Sequence, residues 1–454
     1  MNFNSLEFLV LFLPATLLAF YAVVPRLRLW VLSVGSLLFY GISGLEILGA
    51  FMIAIVWSYS TAFLVRKCPR WLALLVAISC PAFFLIMFKY LGFILDTLQA
   101  GPESRERFWF FFSILLPAGI SFYTFELISY SIDVSDKKIK PERNLLRFTS
   151  FATFFPHLIA GPIMRYEDLR DQLQALQVST ILRPKLVSGL KLLSIGLFFK
   201  IFVADVSATL VLRGKSVPLD QLSAADQLIQ ILLWSFQIYY DFWAYSVMAV
   251  GLGRLFCIEL PVNFREPYLS KNPREFWRRW HITLSYWLRD YVYIRMGGRE
   301  SYVRNILFVF ALVGLWHGAG WNFVAWGIYH GFLVISYQKL QYAWDRLPTS
   351  VSVGITFALV SLAWPLFFLG LDNYTSYLSH LVSFKSGFAV YGPKAWLYVL
   401  ALGCLTFYGR EETWLYNEPE ESKSIIDFPI LLATMMFAGL LSISLSKTFV
   451  YFRF

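Results

Sequence analysis

"LWHGAGWNFVAWGIYH", from Leu315 to His330, puts two of the chain's five histidines inside an apolar run that extends over 306–337. How that run is read decides the fold. About 20 apolar residues are needed to cross roughly 30 Å of hydrocarbon at 1.5 Å per residue, so the run reads as one crossing. Counted from Asn305 at its edge, twelve residues set His317 about 18 Å in, near the bilayer centre. His330 is thirteen positions on, about 220° around a continuous helix, and shares no face with His317 unless the glycine-rich step at 318–320 breaks the helix.

The rest of the 454 residues fits this setting: 58% are apolar, 19% aromatic and only 15% charged. A soluble globular average is about 25% charged. Further apolar runs lie at 6–24, 29–45, 46–65, 71–95, 108–132, 187–212, 228–252, 353–371, 395–408 and 428–446, the 395–408 run being short enough for partial insertion. These runs predict an all-α polytopic membrane protein with about eleven transmembrane helices. The segment "FTSFATFFPHLIAGPIM" (148–164) is too short and too interrupted by Pro and Gly to span, and is expected to be re-entrant. Such backbone persists at membrane depth only when buried in protein or lining a cavity. The N-terminus lacks a basic region and a cleavage pattern, which predicts an uncleaved first span.

With the N-terminus outside, Lys and Arg in the inner loops outnumber those in the outer loops by about four to one. That count holds if 306–337 crosses once, and it then places the C-terminus inside. The net charge of +10 is mostly this bias together with attraction to anionic lipid, and with no soluble basic domain it excludes a nucleic-acid partner. Cys68, Cys80, Cys257 and Cys404 show no pairing that would suggest a disulfide framework or a zinc site. No internal repeat of the transporter kind is visible.

Ionisable residues inside spans are costly and are functional candidates by default. They are Lys89, Glu126, Lys200, Asp205, Asp241, His317 and His330. Snorkelling or local pairing accounts for Lys89, Lys200 and Asp205, whereas Asp241, between aromatics in "IYYDFWAYS", needs a partner. For His317 two readings stand: a helix-packing hydrogen bond, or a base that acts without a permanent charge. The flanking "HGAG" allows close approach of a helix or a thin substrate. His330 reads as structural. His157 in "FPHLIAGPIMRY" is a candidate for the same cavity, Asn322 is a further funnel candidate, and His380, in an outer or edge loop, carries no assignment.

The loop before the run is the second signal: "LPVNFREPYLSKNPREFWRRWHITLSYWLRDYVYIRMGG". Its segment 275–292 reads as one amphipathic helix with an apolar stripe through Phe276, Trp280, Leu284, Trp287, Leu288 and Tyr291. Arg278, His281, Ser285 and Arg289 form a polar stripe. Either the arginines, Arg279 included, anchor an interfacial helix on lipid phosphates, or a re-entrant helix presents His281 to a cavity while the arginines receive an anionic, phosphate-bearing donor.

"FWRRWHITLSYWLRDYVYI" (276–294), followed by "GLWHGAGWNFVAWG" (314–327), resembles the alginate O-acetyltransferase branch of the membrane-bound O-acyltransferases (MBOAT). "FPHLIAGPIMRY" (155–166), "MAVGLGRLF" with "LPVNFREPY" (248–268) and "FVYFRF" (449–454) look like the same branch. The resemblance implies a single membrane domain over 1–454 built around a central funnel or tunnel: N-terminal spans 1–147, a catalytic core 148–340 and C-terminal spans 341–454. It maps the family's central histidine to His317 and its second polar position to His281, with Arg278, Arg279, Arg289, Trp280, His157, Asp241 and Asn322 as donor-binding or funnel candidates. "FWAYSVMA" (242–249) departs from the branch, and Trp243 and Val247 could narrow the cavity; "YIRMGG" (293–298) stands where a Pro is usual.

The implied activity is acetyl transfer from a cytosolic thioester, acetyl-CoA or another acyl thioester, across a bacterial inner membrane for O-acetylation of an exported polysaccharide. No tightly bound cofactor and no metal are expected. The implied partners are membrane lipid, a periplasmic protein that accepts or places the acetyl group, and polysaccharide export machinery. Peptidoglycan O-acetylation or D-alanyl transfer keeps the chemistry and changes the substrate. A proton-coupled transporter or flippase is the alternative of another class, favoured by inverted repeats and disfavoured by the arginine loop.

Overall fold

The computed structural model describes residues 2–65, 69–114, 116–178, 185–218, 221–383 and 390–408, and these form helices and loops with no strand. The expected run 428–446, Cys68 and the 449–454 motif lie outside the described residues. Four described helices are long and apolar enough to cross a membrane: Leu45–Leu64, Trp71–Thr97, Leu186–Lys215 and Thr349–Phe367. Large apolar side chains such as Leu45, Trp71 and Leu75 are exposed on such helices, which suits a surface covered by lipid tails. The chain divides into two compact units, Met1–Leu193 with Tyr245–Pro261, and Ser194–Ala244 with Val262–Phe454.

In the first unit, helix α1 (Pro25–Gly41) packs its serine face on the segment after residue 144: Ser33 Oγ lies 2.8 Å from Ser150 Oγ, and Ser36 Oγ accepts from Phe155 N–H at 3.1 Å. The run 108–132 is not one continuous helix. A short helix, Trp109–Ser113, ends before Pro117, and α2 (Ile120–Ser135) starts afresh after Gly119. Gly119 has φ +74°, and a Cβ there would lie 2.3 Å from the Leu158 carbonyl oxygen, so the break is set by a backbone contact that only glycine permits. Every residue from 148 to 164 is buried, which is the condition under which interrupted backbone survives in an apolar setting. Within it His157 Nδ1 lies 2.9 Å from Glu126 Oε1, and Glu126 also accepts from Met164 N–H at 2.9 Å.

The second unit holds the loop and the run that opened the sequence reading, and both depart from expectation. The amphipathic segment is two helices, α3 (Pro273–Arg279) and α4 (Ile282–Leu288), with Trp280 extended and His281 left-handed between them. The run 306–337 is likewise two helices, α5 (Tyr302–His317) and α6 (Trp321–Trp344), joined through extended backbone at Gly318 and Gly320. They run antiparallel with backbones in contact: a Cβ on Gly314 would lie 2.1 Å from the Phe323 carbonyl oxygen, and one on Gly327 2.0 Å from that of Phe310. The run therefore turns back on itself, returning Lys339 and Arg346 to the end where α5 starts. The parity argument for the C-terminus fails with it. Helix α7 (Thr349–Ala363) follows and ends in a tight turn, Trp364–Phe367.

Gly327→Ala is expected to lower stability by about 1–3 kcal/mol, because its methyl meets backbone that cannot rotate away. At Gly331 the nearest atoms are side chains at 3.3 Å, which need give only slightly, so Gly331→Ala should cost less than Gly327→Ala. Thermal unfolding of both variants in detergent checks this; equal midpoints would refute the close-packed hairpin.

Candidate functional site

The break between α3 and α4 is made by a strap earlier in the chain. Arg265 N–H donates to the Arg279 carbonyl at 3.0 Å and Ile282 N–H to the Asn263 carbonyl at 2.9 Å, so residues 263–265 replace the helical bonds lost across Trp280 and His281. The buried Asn263 side chain completes the strap: its Oδ1 accepts from Thr283 N–H at 3.2 Å and Thr283 Oγ1 at 3.0 Å, and lies 3.1 Å from His281 Nδ1. His281 itself has φ +44° and is fully buried. A left-handed, non-glycine, buried residue is strained, and such strain persists only where surrounding contacts over-determine it. The His281 ring meets Phe242 edge-on at 4.7 Å and Trp316 at 5.4 Å between centroids.

His317 closes α5 and is 2% exposed. Its ring lies 4.9 Å from Trp316, 5.0 Å from Trp326 and 5.4 Å from Phe367. The Trp316 indole therefore touches both histidines. Asn322 donates through Nδ2 to the Leu366 carbonyl at 2.8 Å, tying the start of α6 to the turn that supplies Phe367. With the helix broken, His330 shares the Trp326 indole with His317, at 4.6 Å, which a continuous helix would forbid. It is otherwise packed on Phe276, at 6.1 Å, and Trp277, at 5.2 Å.

A cleft of about 1040 Å³ opens beside these rings, lined by Trp277 and Leu284, by Val309, Phe310 and Val313 of α5, and by Val334 and Gln338 of α6. Val313 is one turn before His317, and Leu284 is one turn after His281. Four arginines line it too: Arg274, Arg278, Arg289 and Arg299. Arg289 pairs with Asp290 at 2.6 Å and lies over the Tyr286 ring, and Arg274 lies over Tyr337. A cationic, aromatic-edged mouth above an apolar floor suits a ligand with an anionic head and a slender neutral arm.

The other sequence candidates go elsewhere. The polar stripe does not exist as read: Arg278 and Arg289 are exposed at the cleft, whereas His281 is buried at the break. Arg279 pairs with Glu275 at 2.7 Å and does not line the cleft. Trp280 is fully buried, stacked on Phe276 at 5.4 Å and beside Trp364 at 5.2 Å. Asp241 lies 2.8 Å from Lys200, which also binds Asp205 at 2.6 Å, so these three form one buried ionic cluster. His157 belongs to the first unit, its Nε2 facing the Phe151 carbonyl at 3.1 Å and its Nδ1 facing Glu126. His380 is on a helix, Leu371–Val382, rather than in a loop. Trp243 meets Phe199 edge-on at 5.0 Å and packs against Tyr239 and Tyr240; it is Phe242 that abuts His281. Sequence reasoning missed Asn263, Trp316, Arg274 and Arg299. Asn263 was within a quoted motif, but no periodicity marks it, because its importance comes from bonds to residues 18 and 20 positions on.

Residues 71–380, which contain both histidines and the cleft, match the MBOAT, membrane-bound O-acyltransferase, family. Over 445 residues the chain is 35% identical to the probable alginate O-acetylase AlgI of Pseudomonas aeruginosa, covering 93% of this chain and 84% of that protein. It is 32% identical over 407 residues to a peptidoglycan O-acetyltransferase of Helicobacter pylori, covering 80% and 76% of the two chains. A teichoic acid D-alanyltransferase of Bacillus subtilis is 28% identical over 269 residues, 55% of this chain and 68% of that protein.

Proposed function

The chain belongs to the membrane-bound O-acyltransferase family and is a multi-pass membrane acyltransferase, and from that premise we propose that it moves an acetyl group from a cytosolic thioester across a bacterial inner membrane to hydroxyls of an exported polysaccharide, alginate- or cellulose-like. The observation that carries this reading is the His281–Trp316–His317 contact, set one helical turn beyond a cleft lined by four arginines. An acyl thioester such as acetyl-CoA matches that cleft: phosphates at the arginines, the slender arm along Trp277, Phe310 and Val313, and the thioester toward the histidines.

In the reaction His317 takes the proton of an acceptor hydroxyl while the oxygen forms a bond to the acyl carbonyl carbon. The tetrahedral intermediate collapses, the C–S bond breaks, and the thiolate leaves and is reprotonated by the imidazolium. The basic loops face the cytosol, in line with the bias of Lys and Arg, and the N-terminus lies outside. A periplasmic protein accepts the acetyl group or places it on the polymer, alongside the polysaccharide export machinery. The second reading, acyl transfer to peptidoglycan or of a D-alanyl group, draws on the named activities of the Helicobacter and Bacillus relatives.

Ester-linked acetate is to be measured separately on surface polysaccharide and on peptidoglycan in cells with the chain, without it and complemented. Loss from the polysaccharide, restored on complementation, is expected. Unchanged polysaccharide esters would overturn the reading, and loss confined to peptidoglycan or to D-alanyl esters would move it to the second.

A further inference from the structure

We propose that Asn263 is a positioning residue that locks His281 as its Nδ1–H tautomer, so that His281 presents a lone pair at Nε2 and enters acyl transfer as an acceptor of a proton or hydrogen bond, not as a donor to the oxyanion. This rests on the acyltransferase reading above and deepens it, because it decides between the two jobs open to the second histidine.

The argument turns on which atom of the Asn263 amide faces His281. Thr283 N–H can only donate, and it points at the Asn263 side-chain atom 3.2 Å away; that atom must therefore be the oxygen, since the amide NH₂ there would set donor against donor. Thr283 Oγ1, at 3.0 Å, donates to the same oxygen. His281 Nδ1 is 3.1 Å from that oxygen, which accepts and cannot donate, so Nδ1 carries hydrogen. In the neutral ring the lone pair is then on Nε2. Asn263 Nδ2 has no hydrogen-bond partner among the described residues, so the amide is oriented through its oxygen alone. Rotation of the His281 ring is blocked by Phe242 and Trp316, and its backbone is held left-handed by the strap that Asn263 also forms. Orientation of a functional histidine by a hydrogen bond at its other nitrogen is a recurrent device, and for metal-bound histidines, the comparable case, losing such a partner costs about 10–100-fold.

The test uses the full chain in lipid nanodiscs. With ¹⁵N-labelled histidine, and His281 assigned by the signal lost in His281→Ala, the wild type should show a protonated-type shift at Nδ1 and a lone-pair-type shift at Nε2. The reverse pattern overturns the proposal, and this reading needs no turnover. In acyl transfer from a thioester, Asn263→Leu should lower kcat about 10–100-fold with KM for the donor little changed. Asn263→Asp, which keeps the accepting oxygen, should recover most of that loss. Equal failure of both variants with intact folding, or wild-type kcat in Asn263→Leu, overturns the proposal. Absence of transfer by the wild type under all conditions sinks the functional reading instead and leaves the tautomer measurement standing.

Discussion

His317→Ala is expected to lower acyl transfer by about 10²–10⁴-fold, the range a positioned general base contributes, with the protein still present in membranes. The residue is 2% exposed and sits where α5 ends, so the substitution removes the imidazole at the centre of the aromatic cage of Trp316, Trp326 and Phe367 without touching the backbone contacts at Gly314 and Gly327 that hold the hairpin. His317→Gln guards against collapse of the cage, since it keeps a polar side chain of similar size without a base of useful strength. The matched control is His330→Phe. That ring is buried among Phe276, Trp277 and Trp326 and has no hydrogen-bond partner among the described residues, so phenylalanine should fill its place and leave turnover within a few-fold of wild type. Thiol released from an acyl thioester, normalised to protein measured by immunoblot, reads all three. Near-normal turnover in His317→Gln, or equal losses at 317 and 330, would remove His317 from the mechanism.

The sequence made the membrane setting legible, but not the way the 275–292 segment or the 306–337 run bends. An apolar hairpin and an apolar span have the same composition and the same 3.6 period over 306–337; only the two glycines at 318 and 320 hint at the turn, and glycine also occurs within spans. The stripe through Phe276, Trp280 and Leu284 has helical spacing because all three are buried, yet the helix breaks at the second, Trp280, and resumes before the third. The cause is tertiary: bonds from Asn263 and Arg265, which local periodicity does not encode. The buried 148–164 segment was readable for the opposite reason, since its two prolines, Pro156 and Pro162, and Gly161 are themselves the interruption. Local pairing of Lys200 with Asp205 is legible in the sequence, but the partner that Asp241 needs is not, because Lys200 is far from it along the chain.

That pairing gives the largest stability effect. Lys200→Met should destabilise the second unit by about 3–5 kcal/mol, because it leaves the carboxylates of Asp205 and Asp241 buried without the ammonium that both contact. Asp241→Asn should be much milder, since Lys200 keeps its 2.6 Å bond to Asp205. The triple variant Lys200→Met, Asp205→Asn, Asp241→Asn removes the charges together and should regain a large part of the loss, as replacing a whole buried ionic group is often near neutral. Thermal unfolding in detergent orders the three variants. If the order is Lys200→Met least stable, then the triple, then Asp241→Asn, the cluster acts as a neutralising unit; if Lys200→Met matches wild type, the pairing contributes nothing to stability. Because no member of the cluster lines the arginine cleft, turnover per folded molecule in Asp241→Asn should stay near wild type, which separates this buried pairing from the chemistry proposed for His281 and His317.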